Sequence, residues 1–302
     1  LLEIHVRLKG RLNLKMKRNK PYRIIYIQGY GHSGTTVLDI LLGSSVDAFS
    51  CGELTFINRE GITDEFCSCN NRIGQCGFWS PVMKSWSEKS SLSLKDHKKL
   101  RNQFEGNSNY LRVLRNQFFP SENFKAYAES TEYLYDAIYD NCGKSLIIDS
   151  SKQATRPFAL TKFAEVQILH ICRNFRGVLN SEKKNVVVDL KEGVESASPP
   201  KRTSKVLLDW FISNLACACT IVFFKGSRIH FRRWIVQPES LLKHCKYLEH
   251  DFYERESNAD HMLAGNKIRL LPNQKLRSTV DTNYQRLNRS QNFIGKAVEI
   301  LT

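Results

Sequence analysis

Tyr22-Arg23-Ile24-Ile25-Tyr26-Ile27-Gln28 runs directly into Gly29-Tyr30-Gly31-His32-Ser33-Gly34-Thr35-Thr36, and this junction decides the fold. The first seven residues form a short apolar run rich in β-branched and aromatic side chains, as expected of a strand buried on both faces. Glycines then mark a turn, and Val37, Leu38, Ile40, Leu41 and Leu42 follow as an apolar helix. Strand, turn and helix start aim backbone N–H groups and a helix dipole at one point, which suits a phosphate or another compact anion. The spacing nearly satisfies G-x-x-x-x-G-K-[ST], but Thr35 stands where the lysine belongs. In ATPases and GTPases that lysine reaches the β/γ-phosphates, so its absence argues against a triphosphate and not against an anion. Gly29, Gly31 and Gly34 also fit G-x-G-x-x-G, with Glu53 available as a ribose-binding acid. A dinucleotide reading, however, gives the hydroxyls of Ser33, Thr35 and Thr36 no role.

Outward from the junction, alternating segments predict an α/β, P-loop-like three-layer fold with a central parallel sheet. Strands are expected at Tyr22–Gln28, Ala48–Cys51, Lys144–Ile148, Glu165–Ile171 and Ile229–Val236. Helices are expected at Gly34–Gly43, Lys95–Phe119, Glu122–Asn141, Ala154–Phe163, Gly177–Lys184, Ser204–Phe224, Pro238–Leu248 and Ser290–Leu301. A large helical insertion at 55–141 would sit at the C-terminal ends of the strands, where a second substrate is often selected. The loop 188–203, with Pro199-Pro200, reads as a lid. Residues 1–20 read as a basic N-terminal segment and 21–302 as a single domain.

The chain has 302 residues, enough for a sizeable core, and 45 Lys and Arg against 30 Asp and Glu give it a net charge of +15. That surplus suits a highly charged nucleotide, an acidic polymer or an anionic membrane surface. No RNA-binding aromatic signature accompanies it, so nucleic acid is not an expected partner. Leu1, Ile4, Leu8 and Leu12 between basic residues would let the first segment contact a membrane peripherally as an amphipathic helix. There is no run of about eighteen apolar residues. Leu207 to Phe224 comes nearest, but Asp209, Ser213 and Asn214 interrupt it and it is expected as a buried helix. A cytoplasmic location is expected, or the Golgi lumen if a membrane anchor precedes Leu1.

Of nine cysteines, Cys142, Cys172, Cys217, Cys219 and Cys245 lie in apolar contexts and are expected as buried thiols. Cys67, Cys69 and Cys76, just before Gly77-Phe78-Trp79, could hold a metal with Cys51 or a histidine, or form one disulfide. Their spacing matches no common zinc rule. The expectation is a structural element that pins the insertion by a disulfide or by packing, with no catalytic metal.

The third strand ends Ile147-Ile148-Asp149-Ser150-Ser151-Lys152, with Arg156 following, and the fourth runs from Leu169 through Arg173 to Ser181. Both bring hydroxyls and cations to the sheet edge where the glycine loop lies. Three anion-binding elements on one crevice suit a ligand that is anionic at both ends, such as a 3′,5′-bisphosphorylated nucleotide.

At these residues the chain resembles the sulfotransferases that use 3′-phosphoadenylyl sulfate (PAPS), in particular the bacterial type. The loop is similar to their 5′-phosphosulfate loop, [RK]-S-G-T-T. Arg173 and Ser181 resemble their 3′-phosphate pair, and Cys51-Gly52-Glu53-Leu54 resembles the C-G-E element shared with tyrosylprotein sulfotransferases. Asp149 to Lys152 resembles the strand end that carries a cofactor-contacting lysine, and Cys67 to Trp79 resembles a C-x-C…C-x-F-W element. His261-Met262-Leu263-Ala264-Gly265-Asn266-Lys267-Ile268-Arg269 is similar to a late segment that closes over the nucleotide. The resemblance spans 21 to 270 and is weak inside the insertion.

The resemblance implies transfer of a sulfonate from PAPS to an acceptor hydroxyl on a glycan, lipid or small molecule, leaving 3′,5′-adenosine bisphosphate (PAP), with no metal required. It makes Glu53 the general base and gives Lys152 and His32 the charge growing on the leaving oxygen. Gly31, His32, Ser33, Gly34, Thr35, Thr36 and Lys152 would hold the 5′ end, Arg173 and Ser181 the 3′-phosphate, and Asn266 and Arg269 the rest of the nucleotide. His32 departs from the family, standing where relatives carry Arg or Lys, so its charge near pH 7 depends on its surroundings. Three alternatives stay open: a nicotinamide-dinucleotide-binding oxidoreductase, a P-loop kinase with its lysine supplied from elsewhere, and a non-enzymatic binder of an acidic polymer.

Overall fold

The computed structural model describes residues 22–183, 201–248, 260–270 and 284–300. The basic segment 1–20, with its expected membrane contact, and the loop at 188–200 lie outside the described residues.

Five parallel strands form one sheet: β1 (Tyr22–Gln28), β2 (Ala48–Ser50), β3 (Leu146–Lys152), β4 (Ala164–Cys172) and β5 (Ser227–His230), in the order β2-β3-β1-β4-β5. β1 is central, with Ile25 registered against Ile148 of β3 and Gln167 of β4. Its side chains alternate between two cores: Ile24 and Tyr26 face one, Ile25 and Ile27 the other. The expected three-layer α/β architecture is therefore present.

On the Ile25 side, α1 (Thr35–Gly43) packs Leu38, Leu41 and Leu42 onto the sheet. The opposite side carries the insertion: α2 (Trp79–Lys89), α3 (Leu94–Phe104), α4 (Tyr110–Phe118) and α5 (Glu122–Cys142). α5 lays Leu134, Tyr135 and Ile138 against Ile24 and Ile147, beside Trp79 and Trp86 of α2. Ser93 and Ser121 cap α3 and α5 by accepting the N–H groups of Asp96 and Phe124, and Gly143, at φ +64°, ends α5. The single helix expected over 95–119 is broken at Glu105-Gly106, because Gly106 adopts φ +102° and the Glu105 carboxylate is drawn into a buried ion pair.

After the insertion come α6 (Pro157–Leu160), α7 (Phe175–Glu182), α8 (Thr203–Phe224), α9 (Phe231–Val236) and α10 (Arg289–Ile300). β3 runs four residues past its expected end, since Asp149, Ser150 and Ser151 find buried partners and need no solvated turn. β5 stops early. Its partner β4 ends at Cys172, opposite His230, so the following residues have no ladder to join and coil into α9. The helix expected from Pro238 shrinks to a 3-10 turn, Pro238–Leu241. The Gln167 amide takes the His244 carbonyl (2.5 Å) and the Lys246 N–H (3.2 Å), which a helix would have used itself.

α8 was expected to be buried and is so only on one side. Val206, Trp210, Ala216 and Cys217 face inward, whereas Leu208, Phe211, Leu215 and Val222 are exposed. Its length and composition would suffice to cross a membrane. Here Asn214 meets His170 of β4 (3.1 Å) and the Thr220 hydroxyl donates to the Ala154 carbonyl (2.9 Å), laying the helix on the domain.

Candidate active site

The glycine loop lies at the C-terminal end of β1 and is shaped by what surrounds it. A Cβ on Gly29 would meet the Ile171 carbonyl oxygen at 2.6 Å, and one on Gly34, at φ +86°, would meet the Phe231 ring at 2.4 Å. Only glycine lets β4 and α9 approach this closely. Gly31, by contrast, faces open space. The hydroxyl residues Ser33, Thr35 and Thr36 are buried, and no side chain caps the first turn of α1. First-turn N–H groups with the helix dipole behind them suit an anion.

Glu53 and Lys152 meet across the next two strand ends. Beyond β2, Cys51 N–H donates to the Ile148 carbonyl (2.9 Å) and Ser150 N–H to the Gly52 carbonyl (2.9 Å). Gly52, at φ +77°, lies against Leu263, whose carbonyl oxygen would be 2.3 Å from any Cβ there. Leu263 in turn donates to the Cys51 carbonyl (2.9 Å) and accepts from Glu53 N–H (2.8 Å). Held this way, the buried Glu53 side chain places Oε1 2.5 Å from Nζ of Lys152. Lys152 takes φ +69° at the end of β3.

Beneath this pair lies a buried polar network. Arg156 meets Asp149 at 2.9 Å and Glu105 at 2.5 Å. The Thr55 hydroxyl donates to Glu105 (2.5 Å), and Thr55 N–H donates to the Ser151 hydroxyl (3.0 Å). Burial pushes the Glu105 carboxyl up, but Arg156, with the Thr55 and Tyr127 hydroxyls, outweighs it and leaves the group below its ordinary value. The network ties Thr55, two residues after Glu53, to Ser151, the residue before Lys152. Arg156 is consequently a structural cation and not part of the crevice, contrary to its expected place there.

A third cluster spans α7, from Arg173 just before it to Ser181 and Glu182 at its end. Arg173 donates to the His32 carbonyl (2.7 Å) and lies 4.6 Å over the Phe231 ring. The Ser181 hydroxyl is 3.5 Å from His32 Nδ1, and His32 Nε2 is 2.6 Å from Glu182. Lys201 approaches the other Glu182 oxygen at 3.1 Å. The His32 hydrogen bond, opposed by burial and helped by Lys201, holds Glu182 down to about 2. The resemblance assigned His32 to the sulfonate end. The structure instead turns its imidazole to Ser181 and Glu182 at the end of α7, from a left-handed backbone at φ +62°.

The late segment packs against Thr36 and Glu53. Asn266 N–H reaches the Thr36 hydroxyl at 3.5 Å, its side chain accepts from Ile268 N–H (3.1 Å), and Arg269 is buried. Two further histidines stand elsewhere. His97 is buried in the insertion between Asn58 and Thr131, and burial lowers it to about 3. His170 is a core histidine, lowered to about 4 by burial.

Sequence reading missed three participants. Asp39 on α1 accepts from the Ser150 hydroxyl (2.5 Å), and burial pushes its carboxyl up to about 7. Glu182 and Phe231 carry no motif and are recognisable only through the side chains they meet. All nine cysteines are free thiols and Cys219 is exposed. Of the two alternatives for Cys67, Cys69 and Cys76, a disulfide or packing, the structure shows free thiols. Those three sulfurs face His261, while Cys51 sits separately beneath Leu263.

No known protein family matches the chain. No curated protein matches it either. Among solved structures, the sulfotransferase domain from the curacin biosynthetic pathway is similar over 93% of this chain and 99% of its own length, at 14% identity and a TM-score of 0.45. The sulfotransferase domain from the Synechococcus PCC 7002 olefin synthase is similar over 94% and 96%, at 12% identity and 0.44. For sulfotransferase STF9 from Mycobacterium avium the figures are 74% and 62%, at 8% identity and 0.41. Likeness at this level carries no argument about activity, which has to rest on the chain's own residues.

Proposed function

We propose that the chain is a sulfotransferase that uses PAPS. One observation carries this reading: a carboxylate–ammonium pair, Glu53 and Lys152, stands at the same sheet edge as an uncapped glycine loop and a separate Arg173–Ser181 cluster. The residues fit a donor that is anionic at both ends. The open face at Gly31 and the α1 N-terminus suit its 5′ end, and Arg173, Ser181 and His32 suit its 3′-phosphate. Glu182 would repel that phosphate, but His32 and Lys201 both lie against it and offset its charge.

When bound, PAPS supplies a sulfonate whose sulfur–oxygen bond to the 5′-phosphate breaks as a bond to the acceptor oxygen forms. Glu53 takes the acceptor's hydroxyl proton, the step a positioned carboxylate performs in general-base catalysis. Lys152 leaves Glu53 and turns to the oxygen that gains charge, alongside the N–H groups of the loop. Ionic contacts to the distant 3′-phosphate hold the reacting groups in line. The Glu53–Lys152 pair disfavours a dinucleotide reading, which needs the acid free for a ribose.

Thermal shift separates the readings. PAP without magnesium should stabilise the protein, and NAD, ATP with magnesium and heparin should do less. Stabilisation by NAD alone would defeat the proposal. Labelled PAPS offered with glycan and lipid fractions would then identify the acceptor hydroxyl.

A further inference from the structure

We infer that Cys67, Cys69, Cys76 and His261 form a four-coordinate structural site for zinc(II) that fastens the helical insertion to the late segment packed against Glu53. The four ligand atoms all lie within 4.8 Å of one another. A tetrahedral zinc with Zn–S of about 2.3 Å and Zn–N of about 2.0–2.1 Å has S···S edges of about 3.8 Å and S···N edges of about 3.5 Å. Cys69 and Cys76 sulfurs are 3.6 Å apart, and His261 Nδ1 is 3.3 Å from Cys76 and 3.9 Å from Cys67. These three distances are close to three of that tetrahedron's six edges. Packing would account for one buried thiol, and a disulfide would use two of four. Neither explains three sulfurs and an imidazole nitrogen converging on one point.

The backbone is arranged to present them. Cys67 N–H donates to the Asn71 carbonyl (2.9 Å) and Asn70 N–H to the Cys67 carbonyl (3.0 Å), with Asn70 in the left-handed region at φ +63°. This tight turn points Cys67 and Cys69 the same way. Surrounding donors suit thiolates: Trp79 N–H lies 3.5 Å from Cys76 Sγ, and the Asn71 amide lies 3.7 Å from Cys69 Sγ. The His261 ring stacks on Phe78 at 5.3 Å, which fixes its plane. Binding one zinc would displace three thiol protons and leave a site of net charge −1.

The consequence is positional. Met262 N–H donates to the Ser68 hydroxyl (2.7 Å), and Leu263, one residue on, pairs with Gly52 and Glu53. Zinc would thus hold, through His261, the backbone against which the Glu53 carboxylate is set.

The test is metal analysis of full-length protein purified without chelator, read together with cobalt substitution. The expected result is one zinc per chain. The cobalt-loaded protein should show thiolate-to-metal charge transfer and the intense visible bands of a tetrahedral site. Cys67, Cys69 and Cys76 should resist alkylation until a chelator is added. Cys76→Ser and His261→Ala should each lose most of the zinc. Where a variant fails to fold, the alkylation pattern of the unaltered chain decides. Metal-free protein with a Cys69–Cys76 disulfide, zinc undiminished in both variants, or alkylation indifferent to chelator would each overturn the site. PAP-induced stabilisation is scored separately, so loss of one proposal leaves the other standing.

Discussion

Lys152 Nζ and Glu53 Oε1 stand 2.5 Å apart although the residues are 99 positions apart in sequence. Each comes from the end of a different strand, and the pair is set by backbone contacts with a third segment, through Leu263. If Glu53 is the base, Glu53→Gln should lower kcat by about 10²–10⁴-fold. PAP affinity should hardly change. Lys152→Ala should impair both, because the lysine meets the leaving group before and during the transfer. Steady-state kinetics and calorimetric PAP titration on the same preparations check this, and near-native turnover in Glu53→Gln would refute it.

Arg173 is the cation proposed to hold the 3′-phosphate. Saturation at a hundredfold excess of PAP over Kd should stabilise the unaltered protein by about 2.7 kcal/mol. Arg173→Ala should lose most of that while the ligand-free protein still melts cooperatively. A ligand-induced shift as large as in the parent would remove Arg173 from the site.

His32, turned to Ser181 and Glu182, should act on binding more than on turnover. His32→Asn tolerates the left-handed backbone. It should raise the PAP Kd by about ten- to hundredfold, the worth of a charge-assisted hydrogen bond, and leave kcat at saturating donor within a few-fold. The reverse split, a collapsed kcat with unchanged Kd, would return His32 to the sulfonate.

Asp39 should make stability fall with rising pH. Burial takes its carboxyl from 3.8 to about 7, so the group is protonated more readily folded than unfolded. Its contribution is complete below about pH 4 and is lost as pH rises through about 7. Asp39→Asn should flatten the dependence of unfolding free energy on pH over that window, by at most about 4 kcal/mol. An unchanged slope would place the titration elsewhere.

What the sequence by itself determined is what local pattern encodes. The apolar run Tyr22–Gln28, the glycines after it and the apolar helix from Thr35 specify strand, turn and helix from neighbours alone, and the structure reproduces all three. Arg173 and Lys152 could be singled out because strand ends in a parallel sheet share one edge, and Ser181 only through the family resemblance. Tertiary structure alone decided the rest. β5 ends where β4 offers no further partner, and β3 continues through Asp149-Ser150-Ser151 because buried Arg156 and Asp39 satisfy it. His32 faces Glu182 because α7 lies there, not because of anything beside it in sequence. His261 completes the cysteine cluster across 185 residues from Cys76. Side-chain direction and long-range ligation depend on where distant segments pack, and no periodicity of 2 or 3.6 residues carries that information.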